Sequence, residues 1–193
     1  MSLQPKSYLT PEEYLELERS ADYKSEYFNG QIFAMGGASP NHVLIVTNVV
    51  SEFRSQLKNR PCTVYSTDLR VRVSPAGLYT YPDVVVVCGD PQFSDSHRDT
   101  LTNPILIVEV LSKSTKDYDR GEKFEQYRTV DSFVEYLLIA QDKHHVERYS
   151  RQADRTWILS ETNRVEDVIE LNSIGCRLPV HEIYDKVDLL QPE

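Results

Sequence analysis

The chain has 193 residues, of which 40% are hydrophobic, and a formal net charge of −9. That length points to one domain over residues 1–193, with enough apolar material for a real core. The acidic balance excludes a general polyanion-coating role and leaves, for nucleic acid, only a locally organised groove.

Taken in order, Thr10-Pro-Glu-Glu13 is a helix start, with Thr10 as N-cap, Pro11 at the first helical position and Glu13 closing a capping box. The helix should reach about Arg19, with Tyr14, Leu15 and Leu17 as its apolar side. Residues 23–36 read as a hairpin turning at Asn29-Gly30, the strongest short hairpin signal. Glu26 lies on its first strand. Ser39-Pro40 launches a long helix to about Lys58, with Val43, Leu44, Val46, Val50, Phe53 and Leu57 near helical spacing and His42 in the first turn. It should lie flat on a sheet.

Strand signals follow at Cys62 to Tyr65 and Leu69 to Val73, interrupted by Ser66-Thr67-Asp68. Pro75-Ala-Gly77 is a turn. An apolar run from Val84 to Cys88 follows Asp83, and a polar loop from Gly89 to Asn103 leads to a second run, Ile105 to Leu111. Ser112 to Thr115 is turn-like. A helix from about Asp119 to Thr129 comes next, with Asp119 and Glu122 spaced as a capping box and Phe124 and Tyr127 on its buried side. Val134 to Ala140 is another strand, so the crossover from the Glu109 strand is long enough for a parallel βαβ unit. Val146 to Tyr149 and Thr156 to Leu159 form a meander around Asp154-Arg155. Val168 to Leu171 adds a strand and Ile183 to Leu190 a short helix.

No apolar run is long enough to span a membrane, and Met1 to Thr10 lacks the order of a secretory signal. Cys62, Cys88 and Cys176 have no metal-site spacing. Reduced thiols in a cytoplasmic compartment are expected, with Cys88 a buried hydrophobe at the end of its strand.

The chemistry concentrates between Tyr81-Pro82-Asp83 and Lys123. Both apolar runs are short, β-branched and bounded by Pro, Gly or Asn, which reads as two buried strands. Within the second, Ile105, Ile107, Glu109 and Leu111 share one face, and Leu106, Val108 and Val110 the other. Neither face is polar, so the strand is central and Glu109 an exception within it. A buried carboxylate is costly to desolvate without a compensating partner. Two of them on neighbouring strands repel each other, and a divalent cation between them removes both costs. Mg²⁺ is commonly held by only one or two carboxylates plus other oxygen ligands.

These residues resemble the PD-(D/E)XK nuclease superfamily, and more closely its Uma-type restriction-endonuclease family. The resemblance is carried by Tyr27-Phe-Asn-Gly-Gln31, Ser39-Pro-Asn-His42, Ser66-Thr-Asp-Leu69, Tyr81-Pro-Asp-Val-Val-Val-Val87, Ile107-Val-Glu-Val-Leu-Ser112 and Asp119-Arg-Gly-Glu-Lys-Phe124. It implies an α/β fold: a restriction-endonuclease-like mixed β-sheet flanked by helices, with an N-terminal helix and β-hairpin. It implies Mg²⁺-dependent hydrolysis of phosphodiester bonds in DNA, with Mn²⁺ as a substitute, and a homodimer as a partner state. Asp83 and Glu109 match the family's metal-binding acids, and Glu26 resembles an additional upstream acid. The superfamily's Lys two residues beyond the acid is replaced here by Leu111. Lys123, on the following helix, matches the family's displaced lysine, and Lys113 is nearer in sequence.

Each residue also has a plainer role. Asp83 alone would read as a turn-forming Asp after Pro. Glu109 would serve only a buried ion pair, Lys123 a helical pair with Asp119, His42 a helix start, and Asp68 a turn. On those terms the chain would be a catalytically weakened nuclease-fold nucleic-acid-binding or scaffold protein. A third reading is a metal-dependent hydrolase acting on a smaller phosphodiester.

Overall fold

Thr10 Oγ1 accepts a hydrogen bond from the Glu13 amide (3.2 Å), and the Glu13 carboxylate accepts one from the Thr10 amide (2.8 Å). This closes the expected capping box at the head of α1, Pro11–Ser20. The computed structural model describes residues 8–74 and 77–189. Pro75 and Ala76 of the expected turn lie outside the described residues, as do residues 1–7 of the N-terminal stretch and Leu190 of the last expected helix.

The apolar side of α1 is narrower than its sequence suggests. Tyr14 is buried, but Leu17 is 51% exposed. The helix meets the rest of the chain along an edge, where Tyr14 stacks on Tyr27 and packs edge-on to Tyr79. Its buried acid, Glu18, accepts hydrogen bonds from the Ser25 amide (2.9 Å) and the Tyr81 hydroxyl (2.8 Å). These contacts fix the hairpin that carries Glu26. Thr10→Ala removes one end of the capping box and should cost about 1 kcal/mol, read as a lower denaturant midpoint with the slope unchanged. An unchanged midpoint would show that the cap adds nothing beyond the tyrosine cluster.

The hairpin comprises β1, Ser25–Phe28, and β2, Gln31–Ala34. Asn29 (φ 45°) and Gly30 (φ 85°) are both left-handed, as the type I′ turn requires. Then α2, Pro40–Leu57, starts at Ser39, whose hydroxyl accepts from the His42 amide. Its buried face is Ile45, Val46, Val49, Phe53 and Leu57. Ile45 and Val49 replace Val43 and Leu44 of the expected stripe, because the helix is rotated so that Val43 faces outward, 52% exposed.

The strands that follow are β3 (Cys62–Ser66), β4 (Arg70–Arg72), β5 (Tyr79–Thr80), β6 (Val84–Cys88), β7 (Thr100–Leu101) and β8 (Leu106–Leu111). A helical segment follows, made of α3 (Lys116–Tyr118), a π-helical turn (Asp119–Lys123) and α4 (Phe124–Tyr127). The chain continues through β9 (Glu135–Ala140), β10 (Val146–Arg151), β11 (Trp157–Thr162), β12 (Val168–Leu171), β13 (Cys176–Pro179) and α5 (Val180–Ile183). The last helix therefore begins where β13 ends, earlier than expected.

Among the described residues the strands form a mixed six-stranded sheet in the order β11-β10-β9-β8-β6-β3, a mixed five-stranded sheet β2-β1-β5-β4-β7 and the pair β12-β13. In the six-stranded sheet β8 and β9 are parallel, joined by the helical segment as a βαβ unit, while β6 and β8 are antiparallel. Within β8 the alternation is as read from sequence, but Ile105, just ahead of the strand, packs with Leu106 and Val108 rather than with Ile107 and Leu111. Leu106, Val108 and Val110 belong to the core beneath α2, and Ile107 and Leu111 to the core beneath α4.

The cysteines correct one expectation. Cys62 and Cys88 stand opposite each other in the β3–β6 register and form a disulfide, leaving Cys176 as a buried thiol. Adjacent strands bring paired side chains within bridging distance, a proximity set by register and invisible to spacing along the chain. No helix among the described residues is long and apolar enough to cross a membrane.

Candidate active site

The antiparallel register pairs Val84 with Val108, and continuing it by one residue sets Asp83 opposite Glu109. The two acids are bound reciprocally through the backbone. Asp83 Oδ2 accepts from the Val110 amide (2.8 Å), and the Asp83 amide donates to Glu109 Oε2 (3.4 Å). The other Asp83 oxygen, Oδ1, lies 2.8 Å from His42 Nε2. Both acids face one cleft of about 960 Å³.

Lys123 closes the other side. Its ammonium lies 2.9 Å from Glu109 Oε1, 3.1 Å from Glu26 Oε1 and 3.5 Å from Asp119 Oδ1. Glu26 also accepts from the Thr80 hydroxyl, and Glu109 Oε1 from the Tyr127 hydroxyl (2.8 Å). The four residues expected from sequence, Asp83, Glu109, Lys123 and Glu26, thus border one space. Lys113 follows β8 rather than lying on it, and Leu111 is buried in the core. Asp68 pairs with Lys24 at 2.6 Å, at the cleft's edge.

The capping box expected at Asp119 is absent. The helical segment starts three residues earlier, and Asp119 sits inside it, buried, one turn from Lys123. The π-helical turn spans both residues, and such turns recur at functional sites because they re-aim side chains from a helix. Three contributors went unrecognised in the sequence. His42 and Tyr127 are common residue types whose partners lie far along the chain. Asp119 was legible only as the helical neighbour of Lys123.

The electrostatics are unbalanced. Burial pushes the Glu109 carboxyl up to about 8; Lys123 opposes this, while Asp83 and Asp119 add to it. Asp119 is also raised, chiefly by burial. Burial disfavours the Lys123 ammonium, yet Glu109, Glu26 and Asp119 hold it well above the ordinary lysine range. Glu26, Glu109 and Asp119 therefore share one ammonium, and Asp83 adds a fourth acid to the same cleft. That donor set, all hard oxygens around a charge deficit, fits Mg²⁺ or Mn²⁺. Among the described residues the His/acid group whose three ligand atoms already lie within 4.8 Å of one another is a different one, His145, Glu147 and Glu161. Arg120 already neutralises Glu147 there, at 2.5 Å.

A family model described as "Uma2: Putative restriction endonuclease" matches residues 11–181. Two proteins of Synechocystis sp. are each 39% identical to the chain. One, "Uncharacterized protein slr1290", matches over 91% of both chains, and the other, "Uncharacterized protein sll1609", over 79% of this chain and 86% of its own. The crystal structure of "a putative nuclease belonging to DUF820" from Anabaena variabilis superposes with a TM-score of 0.75 at 18% identity, covering 91% of this chain and 97% of that one. At that identity the likeness speaks for the fold.

Proposed function

The chain belongs to the Uma2 family, described as "Putative restriction endonuclease", and on that premise we propose that it is a divalent-metal-dependent endonuclease hydrolysing phosphodiester bonds in DNA. The observation that carries this reading is the meeting of Asp83 and Glu109 across β6 and β8 with Lys123 2.9 Å from Glu109. Asp83 and Glu109 would hold Mg²⁺ or Mn²⁺, which supplies Lewis acidity toward a phosphate oxygen and eases loss of a proton from water.

The protein's own groups prepare that place. The Val110 amide and His42 fix the Asp83 carboxylate in orientation, and the Tyr127 hydroxyl does the same for Glu109. Lys123 supplies positive charge where negative charge grows on the phosphate, within a buried setting that strengthens it. Reaching the cleft from the helical segment, Lys123 takes the part that Leu111 cannot. Glu26, 3.1 Å from the same ammonium, would position a water beside the ion.

The test is incubation of plasmid and single-stranded DNA with protein and Mg²⁺ or Mn²⁺, with and without chelator. Chelator-sensitive cutting is expected. Its absence across substrates at high protein concentration would favour the scaffold reading, which the Leu111 substitution and the acidic surface support.

Ion uptake should also depend on pH in a stated direction. Below about 8 the metal-free Glu109 carries a proton that an incoming cation must displace. Apparent affinity should rise with pH, by up to roughly tenfold per unit, and level off above that value. Calorimetry near neutral pH in buffers of differing ionisation enthalpy should show about one proton released per ion. Binding without proton release would place the ion away from Glu109.

A further inference from the structure

We propose that Phe33 is a base-stacking surface and that the cleft takes an unpaired nucleotide, from single-stranded or frayed nucleic acid; this rests on the nuclease reading above. Phe33 stands directly opposite Glu26 in the β1–β2 register, so their side chains rise from the same face of the hairpin. Glu26 touches Lys123, which touches Glu109, so the ring is one residue removed from the acid centre. Phe33 is 51% exposed and lines the same cleft as the acids. Val43, 52% exposed on the first turn of α2, also lines it, backed by the half-buried Met35 and the buried Val46. Single exposed apolar residues are ordinary, but several bordering one charged centre form a surface that suits a flat ring.

Charge makes the case for unpaired substrate. Among the described residues that line the cleft, the cationic side chains are Lys24 and Lys123. Lys24 is paired with Asp68, and Lys123 is buried among three carboxylates. Against them stand Glu26, Asp83, Glu109, Asp119 and Glu122. Proteins that hold duplex DNA do so largely through cations on both phosphate strands, and this cleft offers no such track. Affinity beyond the metal site must then come from base faces, which a duplex keeps stacked and an unpaired strand exposes. The volume agrees. About 960 Å³ lies near the top of the small-ligand range, suited to a nucleotide or two rather than to a duplex.

The experiment compares a short labelled single-stranded DNA oligonucleotide with the same sequence as a blunt duplex. Binding is measured in Ca²⁺ over a range of salt, for the parent, Phe33→Ala and Phe33→Trp, with melting curves as a check on folding. The parent should bind the single strand more tightly than the duplex, with a shallow salt dependence. Phe33→Ala should lose roughly tenfold in single-strand affinity, the effect of one stacked base, and Phe33→Trp should keep it. Parent-like binding by a folded Phe33→Ala protein, tighter binding of the duplex, or no binding of either DNA would overturn the proposal. So would a dimer that Phe33→Ala dissolves while oligonucleotide affinity stays constant, since Phe33 would then serve a second copy of the chain. Mg²⁺-dependent cutting of the same oligonucleotides by parent and Asp83→Asn tests the nuclease reading separately. Cutting lost in Asp83→Asn, together with parent-like Phe33→Ala binding, keeps the nuclease and removes the stacking surface. No cutting, together with Phe33-dependent binding, does the reverse.

Discussion

Asp83→Asn is expected to lower chelator-sensitive cleavage by roughly a thousandfold or more while leaving the fold intact. The amide keeps the size of the carboxylate and an oxygen to accept the Val110 amide, so the β6–β8 link survives. What goes is the negative charge at a position where two carboxylates face one cleft. Asparagine is a weak replacement for a charged ligand to a hard divalent cation, so titration calorimetry should show the ion binding much more weakly or not at all. Relief of repulsion at Glu109 is a second signature, because Asp83 is among the charges that raise its pKa. The variant should therefore be at least as stable as its parent when no metal is present. A variant that cuts at the parental rate would remove Asp83 from the chemistry whatever its geometry.

Lys123→Met should have the largest effect on stability. The Lys123 side chain is only 7% exposed and within 3.5 Å of three carboxylates. Removing one member of a buried charge group leaves the others uncompensated, at a cost of about 3–5 kcal/mol. In a chain of this length that is a fall in melting temperature on the order of 10 °C. The loss should also depend on pH. Glu109 already has a folded pKa above its ordinary value, and without the ammonium it and Asp119 move higher still. A group whose folded pKa exceeds its unfolded one contributes stability below the unfolded value and loses it as pH rises through the folded value. The deficit of Lys123→Met should thus be small in mild acid and grow through neutral pH into the alkaline range. Cleavage should fall by roughly 10²–10³ at every pH where the variant is folded. A variant as stable as its parent at alkaline pH would mean that the acids are satisfied by groups other than this lysine.

Much of this was legible in the sequence, for identifiable reasons. Glu109 betrays itself because it interrupts a strand that is apolar on both faces. The hairpin is announced by Asn29-Gly30, two positions that must both be left-handed. What escaped depends on partners distant in sequence. β5 and β7 are two residues each, too short to show any periodicity, yet they build the five-stranded sheet that supports Glu26. β13 lies between Gly175 and the start of α5 and ends in Pro179, a poor strand signature. The Cys62–Cys88 bridge follows from register alone. The start of the helical segment was misplaced because Asp119 and Glu122 mimic a cap while Asp119 in fact points inward to Lys123. His42 looked like a helix-start residue, and it is one, but its ring also reaches Asp83.

The most direct test is crystallographic: diffraction from crystals grown with Mn²⁺, using its anomalous signal to locate the ion. The site described here predicts a peak at coordination distance, about 2.1–2.2 Å, from both the Asp83 and Glu109 carboxylates, with Lys123 alongside. A peak confined to His145, Glu147 and Glu161, or anywhere that leaves Asp83 and Glu109 without the ion, would contradict it.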